Sequence, residues 1–411
     1  MIPVTVSPRA NSGCAGARPM VRERYSLYCL HREVTPRPES NSGACPLGAP
    51  GQTSAATSVP RPQDRPASRL RRAHVPCNVR TTGVDEHSMS SNKTSERARP
   101  LVGIGACLAG HAVRYNGQAK AANTHVQALC EHFDTRPFCP EVGIGMGVPR
   151  PPIHLVGQAS AVRALDVATH SDDYTDQLAA YAREVLAQAP QLCGYILVKG
   201  SPSCGFERVK RFADNGHSVA ADQRGIFAAA LAQADPLLPL EDDGRLNDPE
   251  LRESFATRVY TYHDWKNLRA SGLSAHRLIA FYSRYKYLVM AHHVASYRTL
   301  GRLLADAGKQ PIEQLAADFI AQLMAALRQR ATRRSHANVL YHLSGYLKRS
   351  VSDAERQRLK ALIEQYRLGA IPLVVPVTML RHHFANSPNA YIEQQVFMAP
   401  FPDELGVRNV V

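Results

Sequence analysis

Three cysteines stand in glycine- and proline-rich segments suited to hold a metal: Cys107, Cys139 and Cys204, separated by 32 and 65 residues. Their segments read ACLAGHAVRYNG, FCPEVGIGMGVPRPP and VKGSPSCGF. Thiolates are ligands of iron–sulfur clusters and of zinc, and the lack of partner thiols or histidines at zinc-finger spacing disfavours a closed structural zinc site. Three thiolates therefore predict an incomplete metal shell, with one open position where a substrate sulfur can bind.

Polar residues in the same segments predict acid–base and binding roles beside that open position. Glu141 follows the second cysteine by two residues, so its carboxylate is placed for general acid–base catalysis. Ser201 and Ser203 precede the third cysteine, and a hydroxyl there can donate a hydrogen bond or relay a proton. Two arginines in the turns can orient an anionic or carbonyl-bearing ligand, Arg114 and Arg150. A backbone cap for the glutamate and structural clamps for the arginines remain the alternatives.

The other six cysteines lack this context. Cys130 and Cys193 lie within apolar patterns and are predicted to be small buried hydrophobes. The remaining four show no paired spacing and are interpreted as incidental thiols: Cys14, Cys29, Cys45 and Cys77.

The elements that must position the three cysteines alternate between strands and helices. LVGIGAC, RPFCPEV and CGYILVKG are predicted to be strands, whereas AKAANTHVQALCEHF and YTDQLAAYAREVLAQA are predicted to be helices. Such alternation indicates an α/β domain with a mostly parallel sheet, and loops that follow parallel strands collect at one edge of the sheet. We expect this domain, with its linker, to span residues 98–265. Its acidic stretch EDDGRLND is predicted to be a solvated turn followed by a helix cap at Asn247 and Asp248.

The last part of the chain is predicted to be an all-α helical domain over residues 270–411. Apolar residues recur there at helical spacing, and Ser352 with Glu355 predicts a capping box for a helix that ends near Gly369. Polar residues on these helices predict either a site between helices or a structural polar network: Lys286, His292, Asn338, His342 and Tyr346. His382 and His383 are adjacent in sequence and make a poor metal pair.

The first 97 residues are predicted to be a disordered extension, because they show no sustained apolar period. Met89 opens an ordinary N-terminal sequence, so we interpret the preceding residues as an over-extended start, with a disordered tail or an arginine-rich targeting segment as the alternatives.

Charge and hydropathy limit the partners. The net charge is +14, of which residues 270–411, with 18 bases and 9 acids, contribute +9, so RNA or DNA is a candidate partner of the helical domain. The longest apolar run, IPLVVPVTML, is interrupted by Pro376, so no membrane association is expected. Thiols reserved for a metal indicate a reducing interior, and we expect a cytoplasmic location.

The motifs CLAGHAVRYNG, CPEVGIGMGVPRPP and KGSPSCG resemble those of a bacterial family, formerly a domain of unknown function, whose characterised relatives are thiouracil desulfidases. The resemblance implies that the three cysteines hold a 4Fe-4S cluster with one iron not ligated by protein, which takes the sulfur from a thiolated pyrimidine. It places the acid–base glutamate and the serine of that family at Glu141 and Ser201. The predicted substrate-binding residues are Arg114, Tyr115, Asn116, Arg150 and Ser203.

The second half resembles the YbgA-like family of unknown function, through SRYKYLVMAH, NVLYHLSGYLKR and the closing QQVFMAPFPDELGVRN. No catalytic role follows from that resemblance. Three functions remain open: a desulfidase that acts on a thiolated pyrimidine or related thio compound, a nucleic-acid-associated protein that acts on or senses modified bases, and a cluster-bearing scaffold or sensor without turnover.

Overall fold

The computed structural model describes residues 98–411. The expected disordered extension, the proposed start at Met89 and the four incidental cysteines lie outside the described residues. Eight strands occur in the described part: β1 (Leu101–Gly105), β2 (Asp134–Phe138), β3 (Ile153–Gln158), β4 (Ala161–Asp166), β5 (Gly194–Leu197), β6 (Val209–Phe212), β7 (Ser218–Gln223) and β8 (Leu240–Asp242).

Twelve α-helices accompany them within the same residues. They are α1 (Thr124–Cys130), α2 (Pro140–Gly143), α3 (Thr175–Gln188), α4 (Ile226–Ala234), α5 (Pro249–Ala270), α6 (Ala275–His292), α7 (Val294–Ala305), α8 (Ile312–Leu327), α9 (Arg333–Ser344), α10 (Asp353–Arg367), α11 (Val374–Asn386) and α12 (Ala390–Glu393). The predicted order, an α/β region followed by a helical region, is confirmed.

The first sheet is fully parallel and has the strand order β2-β1-β5-β8. Its two central strands, β1 and β5, are short apolar runs buried on both faces, as expected where helices cover a parallel sheet, whereas the edge strand β2 is largely exposed or half-buried. Gly103 of β1 pairs with Tyr195 of β5, and a Cβ at Gly103 would lie 2.3 Å from the Tyr195 ring. Only glycine therefore lets this ring lie across β1.

A second sheet, with the order β4-β3-β6-β7, was not predicted. β3 and β4 form an antiparallel hairpin, β6 and β7 form another, and β3 pairs with β6 in parallel. Gly157 has a φ of 115° in the first hairpin, where a Cβ would lie 2.7 Å from the carbonyl oxygen of Ala161. The second sheet has its own small apolar cluster, which includes Leu155 and Leu178.

The acidic stretch after α4 is not the solvated turn that was predicted, because Glu241, Asp242 and Asp243 are buried, and the stretch completes the first sheet. Leu240–Asp242 is strand β8, and the Asp242 carboxylate accepts backbone hydrogen bonds from Gly244 and Arg245. Asp248 caps α5 by accepting from the backbone N–H groups of Glu250 and Leu251, which confirms the predicted helix start.

Helix α5 joins the α/β region to the helical region. The hydroxyl of Tyr260 donates to the carbonyl of His132 at 3.0 Å, and Tyr285 of α6 donates to Asp264 at 2.7 Å. The buried apolar core is continuous across both regions. In the described part of the chain, none of the helices combines the length and apolar character that crossing a membrane requires.

Helix ends in the second region follow their predicted signals. Ser352 and Glu355 form a capping box at the start of α10, and Gly369, with φ 86°, stands just beyond the end of that helix. Helix α1, by contrast, is shorter than predicted, because Asn123 caps it and the preceding residues are irregular.

Candidate metal centre

The three predicted cysteines meet at one edge of the parallel sheet. β2, β1 and β5 are adjacent, and each cysteine follows the carboxyl end of one of them: Cys139 directly after β2, Cys107 two residues after β1, and Cys204 in the loop after β5. The charges of Cys107 and Cys139 both raise the pKa of Cys204, after burial and the Glu141 carboxylate. The three sulfur atoms are thus near enough to interact electrostatically.

Burial dominates the electrostatics of these thiols. It raises the pKa of Cys204 to about 12, and the hydrogen bond with Ser201 opposes the shift only in part. Burial also raises the pKa of Cys139, although the backbone N–H groups of Val142 and Glu141 at the start of α2 oppose it. In the absence of a metal, all three thiols therefore favour the protonated form, and metal binding must displace their protons.

A chain of hydrogen bonds connects Cys204 to Glu141. The Cys204 Sγ lies 3.4 Å from the Ser201 Oγ, which also accepts from the Cys204 backbone N–H at 3.2 Å. Ser201 and Ser203 share a hydrogen bond of 3.0 Å between their Oγ atoms. Ser203 then donates to the Glu141 Oε1 at 2.6 Å. A proton can pass along this chain between the cysteine loop and the carboxylate.

Arg150 holds the carboxylate in place from the other side. Its Nε donates to the Glu141 Oε2 at 2.8 Å, and its Nη2 donates to the same oxygen. Its Nη1 donates to the carbonyl oxygens of Val113 at 3.0 Å and Gly147 at 3.2 Å. The guanidinium is 4% exposed and is largely occupied by these contacts, so it acts as a clamp on Glu141 as well as a candidate ligand-binding group.

The remaining predicted substrate residues form an exposed rim. The Arg114 guanidinium lies 5.8 Å from the centroid of the Tyr115 ring. Burial raises the pKa of Cys107, and the charges of Lys120 and Arg114 oppose that rise only in part. Asn116 exchanges hydrogen bonds with Gln118 within its own turn. Arg114 and Tyr115 are therefore placed beside the first cysteine, whereas the Asn116 side chain serves its local turn.

A lysine–aspartate pair that was not predicted fixes the loop of Cys107. The Lys120 Nζ lies 2.7 Å from the Asp243 carboxylate, and the Lys120 backbone N–H donates to the Cys107 carbonyl at 3.0 Å. Asp243 also accepts from the backbone N–H of Lys199 at 2.8 Å. The pair thus ties the end of β8 to the loops after β1 and β5.

Tyr195 is a further residue near the cysteines that was not predicted. Its side chain is fully buried, and its hydroxyl has no hydrogen-bond partner within residues 98–411. Burial raises the pKa of this hydroxyl well above its ordinary value, and the charges of Cys204, Cys139 and Cys107 raise it further. A buried hydroxyl without a partner is costly, so its position beside three thiols indicates a partner that binds there.

The donor set at this edge consists of thiols, which are the usual ligands of iron–sulfur clusters. Among the described residues, no three His, Cys, Asp or Glu side chains form a group that could hold a metal ion. A cluster is several atoms wide, so its thiolate ligands stand further apart than those of one ion. Three thiols from neighbouring loops, with the unpartnered Tyr195 hydroxyl near them, are donors of the kind that such a group would use.

Polar residues of the helical region form internal contacts. The buried His292 ring donates through Nδ1 to the Gln329 carbonyl at 2.7 Å, and Tyr287 donates to the Tyr346 hydroxyl at 3.2 Å. Asn338 and His342 are exposed. These placements favour the structural polar network over a second catalytic site.

Known proteins resemble both regions. The 2-thiouracil desulfurase family model matches residues 102–243, and the model of a protein of unknown function, DUF1722, matches residues 286–402. Escherichia coli (strain K12) YbgA, an uncharacterized protein, is 31% identical over 165 residues, which cover 40% of this chain and 98% of YbgA. Bacillus subtilis (strain 168) YbbK, also uncharacterized, is 29% identical over 140 residues, which cover 33% of this chain and 91% of YbbK.

A solved structure, that of the 4Fe-4S-dependent thiouracil desulfidase TudS, is 26% identical with a TM-score of 0.31, covering 39% of this chain and 99% of TudS. The 2-thiouracil desulfurase match contains the three cysteines and the Glu141 hydrogen-bond chain, and the DUF1722 match lies wholly in the helical region. The chain therefore belongs to the YbgA family and carries a thiouracil desulfidase-like region ahead of its YbgA-like region.

Proposed function

We propose that the protein is a desulfidase that removes sulfur from a thiolated pyrimidine or a related thio compound. Cys107, Cys139 and Cys204 would hold a 4Fe-4S cluster, because they are three thiols at one sheet edge beside an unsatisfied hydroxyl. The observation that carries the proposal is the hydrogen-bond chain from the third cysteine to Glu141, next to those thiols. The match to the 2-thiouracil desulfurase family supports it.

The reaction is a hydrolysis without net oxidation. Water supplies the oxygen that replaces sulfur at the carbon, and the sulfur leaves as hydrogen sulfide. When bound, a cluster with one iron free of protein ligands supplies a Lewis acid that attracts the substrate sulfur.

The residues of this chain would supply the proton transfers. Glu141 accepts a proton from the attacking water and returns one to the departing sulfur, with Ser203 and Ser201 as the relay. Arg150 fixes the carboxylate, and Arg114 with Tyr115 lines the entrance. The unpaired thiols of this site require a reducing compartment, so we propose a cytoplasmic location.

The test is sulfide release from 2-thiouracil by the full chain after anaerobic reconstitution with iron and sulfide. We expect sulfide and uracil in equal amounts, and Glu141→Gln should lower the rate about 100-fold or more. Ser218→Ala, an exposed site on β7, is the matched control and should keep the wild-type rate. A protein that holds its cluster and releases no sulfide would instead support the scaffold or sensor.

A second candidate is that the thiolated base is presented within RNA. The observation that favours it is the basic segment RQRATRR at the end of α8, where Arg328, Arg330 and Arg334 are exposed. Phosphate contacts make binding fall with salt. Salt-sensitive sulfide release from thiolated RNA, faster than from the free base and weakened by Arg334→Gln, would support this candidate. Equal rates with the free base at every salt concentration would exclude it.

A further inference from the structure

The Tyr195 side chain is held in a buried aromatic layer formed by Phe138, Tyr195 and Phe227. Its ring lies across Gly103 of β1 and stacks on the Phe138 ring, with the ring centroids 6.2 Å apart. The Phe227 ring meets it edge-on, at a centroid distance of 5.7 Å. A fully buried ring that is packed on three sides has little room to change its rotamer, so the position of the hydroxyl is fixed.

Phe138 connects this layer to the first two cysteines. It is the last residue of β2 and directly precedes Cys139. Its carbonyl oxygen accepts a hydrogen bond of 2.8 Å from the backbone N–H of Ala106, the residue before Cys107. The ring that stacks on Tyr195 is therefore carried by backbone that is bound to both cysteine segments.

Phe227 connects the same layer to the third cysteine. Its backbone N–H donates to the carbonyl oxygen of Ser203, the residue before Cys204, at 2.9 Å. Burial raises the pKa of the Tyr195 hydroxyl, and among the neighbouring charges that of Cys204 raises it most. The hydroxyl is thus fixed within electrostatic reach of the cysteine sulfurs.

The Tyr195 hydroxyl makes no hydrogen bond that would help the fold itself. Within residues 98–411 it has no partner, and it is shielded from solvent. Phenylalanine would fill the same space in the aromatic layer without the cost of a buried unpaired hydroxyl. The hydroxyl therefore indicates an acceptor that binds beside it, and the sulfur atoms of an iron–sulfur cluster are acceptors of this kind.

We infer that the Tyr195 hydroxyl donates a hydrogen bond to a sulfur atom of the cluster and withdraws negative charge from it. This role rests on the cluster of the proposed function. A hydrogen bond to a cluster sulfur stabilises the more negative, reduced form and so raises the reduction potential. The same withdrawal of charge makes the open iron a stronger Lewis acid for the substrate sulfur. Tyr195 is then a positioning residue that acts on the substrate through the cluster.

Redox titration of the anaerobically reconstituted full chain, followed by EPR of the reduced cluster, tests this role without turnover. Tyr195→Phe keeps the ring and loses only the hydroxyl. At a fixed potential, we expect the ratio of reduced to oxidised cluster to fall about threefold to tenfold, which is about 30–60 mV for one electron. Tyr282→Phe, which removes the hydroxyl of a buried tyrosine in the helical region, is the matched control and should leave the potential unchanged.

A second readout separates a hydrogen bond from a general change in structure. When the protein is reconstituted in deuterated water, the reduced cluster should show magnetic coupling to an exchangeable deuteron that Tyr195→Phe lacks and Tyr282→Phe retains. Both readouts are taken on the fraction of chains that holds the cluster. The wild-type spectrum decides the question where Tyr195→Phe retains too little iron, because a cluster without a coupled exchangeable deuteron would overturn the inference.

Equal potentials for the wild type and Tyr195→Phe, or a deuteron coupling that persists in this variant, would also overturn it. Sulfide release from 2-thiouracil is measured separately. Release by a protein whose cluster potential does not depend on Tyr195 rejects this inference alone, whereas a dependence on Tyr195 without release supports it and rejects the desulfidase. A chain that binds no iron rejects both.

Discussion

Ser203→Ala tests whether the hydrogen-bond chain from Glu141 to the cysteine loop is a real structural unit. The Ser203 side chain is buried, and its hydroxyl lies 2.6 Å from the Glu141 Oε1 and 3.0 Å from the Ser201 Oγ. The substitution removes both hydrogen bonds and leaves almost no other contact changed. Glu141 keeps both hydrogen bonds from Arg150.

The expected cost follows from the two hydrogen bonds. A hydrogen bond to a charged group contributes about 1.5–3 kcal/mol and a neutral one about 0.5–1.5 kcal/mol, so the free energy of unfolding should fall by about 2–4 kcal/mol. In a Glu141→Gln background the carboxylate bond is already weakened. The same serine substitution should then cost about 1–2 kcal/mol less, and that difference is the coupling energy of the pair.

Urea unfolding of the four proteins in this cycle, all without iron and under anaerobic conditions, measures the coupling. Ser218→Ala serves as the control, since an exposed substitution should change stability by less than about 0.5 kcal/mol. If Ser203→Ala costs no more than this control, or if the coupling with Glu141 is zero, the hydrogen-bond chain is not formed in solution.

Three further predictions concern other parts of the chain. Tyr195→Phe removes a buried hydroxyl without a partner, so it should stabilise the iron-free protein by about 1 kcal/mol or more in urea unfolding. The same substitution should lower the amount of iron that the protein retains after reconstitution. Unchanged iron retention would contradict a role of the Tyr195 hydroxyl beside the cluster. Burial holds the pKa of His336 well below its ordinary value, so this histidine binds a proton more readily in the unfolded chain than in the folded one. The free energy of unfolding should therefore fall by up to about 1.4 kcal/mol for each pH unit below about pH 6.5. In urea unfolding at several pH values, His336→Gln should reduce this dependence of stability on pH, whereas His382→Gln, at an exposed position, should leave it unchanged. The same pH dependence in both variants would refute the assignment of this effect to His336. Ser352→Ala breaks the capping box of α10 and should cost about 1 kcal/mol in thermal or urea unfolding; no loss would mean that the cap does not stabilise the helix.

The arrangement of the cysteines could be predicted because it depends on local patterns. Each cysteine follows a short apolar run, and parallel strands bring their following loops to one edge. The caps at Asp248 and Ser352 were predicted for the same reason, since a cap is defined by neighbours a few residues away.

The second sheet escaped prediction because its edge strand has little apolar signal. β7 is SVAADQ, with most of its side chains exposed or half-buried, and β6 has one buried residue, Val209. Neither shows the alternation that marks a strand with one buried face. Such strands form only because β3 provides a partner for pairing.

The missed site residues depend on contacts between distant parts of the chain. Lys120 and Asp243 are 123 residues apart, and only the strand order places them together. Tyr195 lies beside the cysteines because the register between β1 and β5 sets it opposite Gly103. Arg150 was predicted near the cysteines, but its contact with Glu141 depends on how the intervening turn folds.

Iron content after anaerobic reconstitution tests the central claim most directly. We predict about four irons for each wild-type chain, and a clear loss in each of Cys107→Ser, Cys139→Ser and Cys204→Ser. Cys193→Ala, whose buried thiol donates to the Gln191 carbonyl outside this site, should bind as much iron as the wild type. Full iron content in the three serine variants would contradict the assignment of these cysteines as the ligands.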